Sequence, residues 1–401
     1  MDRFRRYSSI ARRETIQQIW VVKLESPCSG LQTSGCKGCK LRGCYNVIRL
    51  SSMRLVSPLL KHAVYPALHQ IGWLDHIMPP GGYAVVNYHG VVPSDHSVVA
   101  EISLDGNLLD ANLVRPEILR RQLQFLKAHY NVVRPEDFRA WIEQGRQLPP
   151  RAVLVTCDDG LLNTLTDMLP VLQSEGIPCL FFVTGASCSD KPGMLWYEEL
   201  YHLMRARPLD GLDIQLPVEE DEESSGNFQG RWWSMVRRAS RLDATARADW
   251  MGQVRTHCGG TQKFHSEKRW RLLNMSELRE LAEAGMTVGA HTLSHPVLSL
   301  CGDEEARREI QESRNDIERV LGRPVWAFAY PFGNSSTMGK REVALAREAR
   351  FSCAFLNVEH WRTGVANPFA LPRIHVTGNT TLPEFAAHMS GLHARLQRAV
   401  G

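Results

Sequence analysis

From residue 83 onward the chain alternates short apolar runs with helix-length connections, and this rhythm limits the fold more than any other feature. The runs YAVVNYHGV (83–91), AVLVTCDDG (152–160), PCLFFVTG (178–185), TVGAHT (287–292), VWAFAYPFG (325–333), FSCAFL (351–356) and LPRIHV (371–376) each read as a buried strand. Between them, 115–130 carries Ile118, Leu119, Leu123 and Leu126 at helical spacing, and 135–145 opens on Pro135 and stops at Gly145. Further helices are expected up to Glu175, over 303–321 and over 339–349. Strands separated by helices imply a parallel sheet or a barrel of βα units. The 401 residues suffice for one large α/β domain with additions, which buries roughly three quarters of its unfolded surface and needs no disulfides.

Two regions break the rhythm. Residues 190–270 hold an acidic run from Glu219 to Glu223 and then Trp232–Trp233 in a basic stretch, which reads as an insertion on the rim of the sheet. Trp196, Tyr197, Trp232 and Trp233 are open to two roles, sugar stacking or packing. At the other end, residues 1–54 carry 11 Lys/Arg against 3 Asp/Glu, a net of +8, while the remainder holds 36 against 40. A mildly acidic body offers no footprint for nucleic acid. Cys28, Cys36, Cys39 and Cys44 give either a metal knuckle or, on the reading preferred here, part of a basic extension over 1–52 from a start codon set too early. A lead-in segment spans 53–82, the main domain 83–385, and a helix end 386–401. No apolar run nears the ~18–20 residues of a membrane span. With no apolar leader, and with single scattered cysteines in the body, a cytoplasmic location is expected.

Three strings carry chemistry. In Val155–Gly160, VTCDDG, two adjacent carboxylates end an apolar strand, where ionising both is costly without a compensating charge such as a divalent cation. In GAHTLSHPVLS, His291 and His295 stand four apart at a strand end, a spacing that can serve one metal ion. In FAYPFG, a Tyr330-Pro331-Phe332-Gly333 turn can aim a main-chain N–H into a cleft, as an oxyanion requires. All three end predicted strands, and in barrels the strand C-termini form the active face.

Taken together these strings resemble the polysaccharide deacetylase family, the NodB-homology fold of carbohydrate esterase family 4. Thr156-Cys157-Asp158-Asp159-Gly160 matches its first motif, His291-Thr292-Leu293-Ser294-His295 its second and Pro331-Phe332-Gly333 its third, over about residues 83 to 385. The resemblance implies a distorted (β/α) barrel of about seven parallel strands. It also implies a divalent metal, zinc by family habit, on Asp159, His291 and His295, with Asp158 as general base. The Phe332 N–H would stabilise the oxyanion, His375 would be the general acid, and Tyr330, Pro331 and His89 would meet the substrate. The implied partner is an N-acetylated (or O-acetylated) sugar or glycan, with no nucleic acid and no membrane span.

Two departures from the family pattern stand out. Ala329 occupies the place of an Arg that orients the catalytic Asp, and Arg373 takes the place of a Leu in the last motif. Arg373 is therefore expected to replace the missing guanidinium from another side. His89 is a reserve acid, His360 a rim or core residue, and Cys157 for the usual Phe removes no ligand. Two further readings stay open: hydrolysis of a cyclic imide or ureide at the same site, and saccharide binding without turnover.

Overall fold

The computed structural model describes residues 60–76, 82–93, 110–191, 193–209, 227–260, 267–359 and 367–400. Its strands are β1 (Tyr83–Tyr88), β2 (Asn131–Val132), β3 (Ala152–Cys157), β4 (Leu180–Val183), β5 (Thr287–Ala290), β6 (Ala327–Ala329), β7 (Cys353–Phe355) and β8 (Ile374–His375). All pair in parallel, in the order β7-β6-β5-β4-β3-β1-β8, with β2 beside the N-terminal end of β3. Seven strands thus make the main path, as the expected barrel requires. The sheet curls far enough for its ends to meet. Leu371 bridges Phe355 of β7, and five residues later Val376 donates to the carbonyl of Asn87 in β1.

Both faces of β1, β3 and β4 are buried throughout, so these strands read as continuous apolar runs. Alternate residues divide the core. Val86, Tyr88, Val155, Phe181 and Val183 pack with the surrounding helices, whereas Tyr83, Val85, Leu154, Phe182, Ala327, Phe355 and Leu371 gather inside the curl. Phe138 and Trp141 of the helix Pro135–Gln144 join this inner cluster. That helix ends as its sequence dictates, on Gly145 at φ 70°. The long helix Asp303–Leu321 begins with three acids, which favour its N-terminus, and closes on Gly322 at φ 63°. Observed strands are shorter than the apolar runs; 325–333 yields only β6 because the Tyr330–Gly333 segment turns away.

Within 190–270 the helices Trp196–Ala206, Phe228–Ala239 and Ala244–Cys258 build an apolar cluster of their own. Its entrance and exit are tied together, with Met194 bridging Arg271 and Leu161 bridging Leu272. The acidic run 219–223, His360 and the four N-terminal cysteines lie outside the described residues. Among the described residues no helix is long and apolar enough to cross a membrane.

Candidate metal centre and its neighbouring carboxylate

The alternation of β1 and β3 decides what faces the interior. Tyr83 and Val85 point inward, so Asn87 does too; Ala152 and Leu154 point inward, and so do Thr156 and Asp158 two and four residues on. A buried polar layer therefore caps the apolar interior at the C-terminal end of the strands. Thr156 Oγ1 donates to Asn87 Oδ1 at 2.9 Å, and Asn87 Nδ2 donates to Asp158 Oδ2 at 2.9 Å. Arg373 enters from the segment that closes the sheet and is fully buried. Its Nη1 and Nη2 donate to Asp158 Oδ1 and Oδ2 at 2.7 and 2.6 Å, its Nη1 also reaches Asn87 Oδ1 at 3.0 Å, and its Nε donates to Leu356 O at 2.8 Å. Burial alone would raise the Asp158 carboxyl. The Arg373 charge, followed by that of His291, outweighs it and holds the group below the ordinary carboxylate range. Arg373, delivered by the segment that closes the sheet and not by β6, thus grips Asp158.

The next residue turns the other way. Asp159 sits at φ 77°, and its Oδ1 lies 3.4 Å from His295 Nε2 and 3.6 Å from His291 Nε2. A tetrahedral zinc with bonds of about 2.0–2.1 Å sets its ligands about 3.3 Å apart, so these three atoms have the spacing of a metal's ligands. His291 Nδ1 lies 2.7 Å from the Ala329 carbonyl. That carbonyl can only accept, so the proton belongs on Nδ1 and the Nε2 lone pair faces Asp159. The donor set, one carboxylate and two imidazoles, suits a zinc-like divalent ion with positions left for water and substrate.

The turn that bears the second histidine is held by residues the sequence gave no reason to select. Glu309, buried on the long helix, accepts from the backbone N–H groups of Leu293 and Ser294 at 2.9 Å each and from the Ser294 hydroxyl. Arg247, from the insertion helix Ala244–Cys258, adds an ion pair to Glu309 at 3.2 Å. Thr292 Oγ1 accepts from the His295 N–H at 3.0 Å. Of six non-glycine residues with positive φ among those described, four are Asp159, Thr292, His295 and Phe332. Each such conformation costs on the order of 1–2 kcal/mol, and concentrating them here is the pattern of a functional site.

Phe332 adopts φ 61°, its ring 4.8 Å from that of His295 and 5.2 Å from Trp233. Tyr197 packs on both, at 5.0 Å from His295 and 5.6 Å from Phe332. Trp196 Nε1 donates to the His295 carbonyl, and Trp232 Nε1 to that of Tyr197. The insertion therefore walls the metal side of the site; Trp196, Tyr197 and Trp232 are buried packing, whereas Trp233 stays partly exposed.

Other expected positions separate. His89 Nε2 is 3.9 Å from Asp158 Oδ2, and its ring meets that of His375 edge-on at 4.8 Å. His375 is held by burial, then by the His89 charge, down at about 3, so it is neutral at physiological pH. Tyr330 departs from expectation: its phenol is buried, donates to the Phe369 carbonyl at 3.1 Å and packs on Phe328, so the side chain serves the core and not a substrate. Pro331 is buried at the start of the turn. Cys157 lies in the core with its thiol pushed well up by burial, an inert neighbour to the carboxylates.

A family model described as polysaccharide deacetylase matches residues 254–351, a stretch that contains His291, His295 and Phe332. Among solved structures, the chain is similar to the Streptococcus pyogenes deacetylase PplD in complex with acetate. The two are 15% identical, with 78% of this chain and 99% of that chain covered at a TM-score of 0.50. It also aligns with IcaB from Ammonifex degensii at 19% identity, covering 78% and 98% with a TM-score of 0.48. No curated protein sequence matches the chain. The likeness to PplD shows that the fold is the expected distorted barrel.

Proposed function

We propose that this chain, residues 254–351 of which match the polysaccharide deacetylase family model, is a metal-dependent hydrolase that removes N-acetyl groups from a carbohydrate. One observation carries the reading: a cluster of one carboxylate and two imidazoles at metal-ligand spacing stands beside a second carboxylate kept ionised by a buried guanidinium. A saccharide-binding protein without turnover has no use for that second, costly group.

Asp159, His291 and His295 would hold a divalent ion, which when bound would supply Lewis acidity to the acetamide carbonyl and bring water's pKa toward about 7. Asp158, ionised because Arg373 and Asn87 surround it, accepts the proton of the attacking water. Arg373 is a positioning residue. It fixes both carboxylate oxygens and keeps the basic form populated. The Phe332 N–H, which has no acceptor among the described residues, is the donor for the developing oxyanion. The leaving amine needs a proton. His89, partly exposed with its Nε2 3.9 Å from Asp158, is assigned as the donor, with His375 packed edge-on against its ring.

The test joins metal content to acetate release from N-acetylglucosamine oligomers, with and without chelator. Near one metal at this site and chelator-sensitive release are expected. Asp158→Asn should keep the metal and lose about 10²–10⁴-fold in rate, the usual worth of a general base. Full activity in Asp158→Asn refutes the mechanism. Metal without release from any acetylated sugar shifts the reading to another amide.

A further inference from the structure

A second group of metal-binding side chains lies at the C-terminal end of the chain and shares no residue with the first. Glu359 follows β7, His388 is in the last turn of the helix Leu382–Met389, and His393 is in the first turn of the helix Leu392–Val400. One ligand atom from each falls within 4.8 Å of the others.

No spacing rule selects this trio. In a continuous helix, residues five apart project about 140° away from one another at 100° per residue, so His388 and His393 would not meet. Gly391, at φ 72°, breaks the helix between them and folds the second ring back over the first. The centroids end 4.0 Å apart with planes tilted by 35°. Glu359 Oε2 stands 2.7 Å from His388 Nδ1, and the Tyr65 hydroxyl stands 2.8 Å from His393 Nδ1. Tyr65 occupies the place of an outer partner and holds the orientation of the His393 ring.

We propose that Glu359, His388 and His393 form a second divalent-metal site, zinc by its carboxylate and two-imidazole donor set, which fastens the two C-terminal helices to the segment after β7. The site joins segments distant in sequence, since Tyr65 ties it to the helix Tyr65–Gln70, and its three protein ligands leave a fourth position for water.

The test uses the full chain and counts zinc by difference, so that any other bound zinc cancels. Zinc per chain is measured by mass spectrometry for the parent, for Asp159→Ala, for Glu359→Gln/His393→Gln and for the triple variant. Thermal unfolding of each is followed with zinc and with chelator. The expected result is a loss of one zinc in Glu359→Gln/His393→Gln, with a zinc-dependent rise in Tm that persists in Asp159→Ala and is absent from the triple variant. An unchanged zinc count and an unchanged zinc-dependent Tm in Glu359→Gln/His393→Gln overturn the proposal. Loss of zinc there but none in Asp159→Ala upholds this site while overturning the first.

Discussion

Replacing Arg373 by Met removes the guanidinium and keeps most of its volume, and two effects should follow from the same contact. In the native chain Arg373 is fully buried and makes a two-pronged pair with Asp158 at 2.6 and 2.7 Å. Taking one partner from a buried pair strands the other, at a cost of about 3–5 kcal/mol. With roughly 2 °C of Tm per kcal/mol for a large domain, the loss is about 6–10 °C. The second effect concerns protonation. In the parent the folded Asp158 carboxyl lies below its unfolded value, so its contribution to stability is full above the usual carboxylate range and disappears as pH falls through the folded pKa. In Arg373→Met burial dominates and the carboxyl rises. The variant is then least stable relative to the parent at neutral pH, and the gap narrows as acid neutralises Asp158. Acetate release should fall at least tenfold at pH 7 and recover toward alkaline pH as the base ionises, whereas the acid limb of the parent stays well below neutrality. Arg373→Lys, which keeps charge but not the fork, should fall between the two. Thermal unfolding and the pH–rate profile measured together decide the matter. A Tm within about 1 °C of the parent, with an unmoved acid limb, refutes the reasoning.

Glu309→Gln should leave the barrel folded but loosen the Leu293–Ser294 turn, since a neutral amide gives up the charge-assisted bonds and the Arg247 pair; zinc affinity should drop about tenfold or more, read by chelator competition. If zinc affinity is unchanged, Glu309 is only a core residue. His89→Ala should lower kcat by about 10²-fold or more with metal retained, whereas His375→Ala should act chiefly through packing against His89 and Asp158. A loss of kcat confined to His375→Ala would return the acid's role to His375.

The barrel was legible because it is written in local terms. The helix 303–321 follows directly from three acids at one end, Gly322 at the other and helical spacing between. The runs that become β1, β3 and β4 are apolar at nearly every position because both faces are buried. The candidate metal ligands were legible for a different reason: adjacent carboxylates and paired histidines at strand ends are costly to place there without a compensating charge. The aromatics of the insertion stayed open at 196, 197 and 232, because they carry the same letters whether they stack on sugars or pack on one another, and only a folded cluster distinguishes the two.

The sequence pointed to Arg373 as the replacement guanidinium but not to its route or to Asn87, and these depend on closure of the sheet, as the Glu359–His388–His393 group depends on one helix break. Asn87 looks like a blemish in an apolar strand until β1 is paired with β3; the register Asn87–Thr156 then makes it the acceptor that Thr156 and Arg373 share and the donor to Asp158. Arg373 is 215 residues from Asp158, and the segment before β8 brings it there by pairing with β7 at Leu371 and with β1 at Val376. A guanidinium delivered by the closing strand does the same electrostatic work as one delivered beside Ala329, because a carboxylate responds to the charge and its two hydrogen bonds and not to the strand that brings them. The absence of an expected residue at 329 is therefore a poor argument for an inactive site. The buried, ionised Asp158 requires a cation somewhere in the fold, and Arg373, immediately before the strand that completes the barrel, supplies it as the sequence led one to expect.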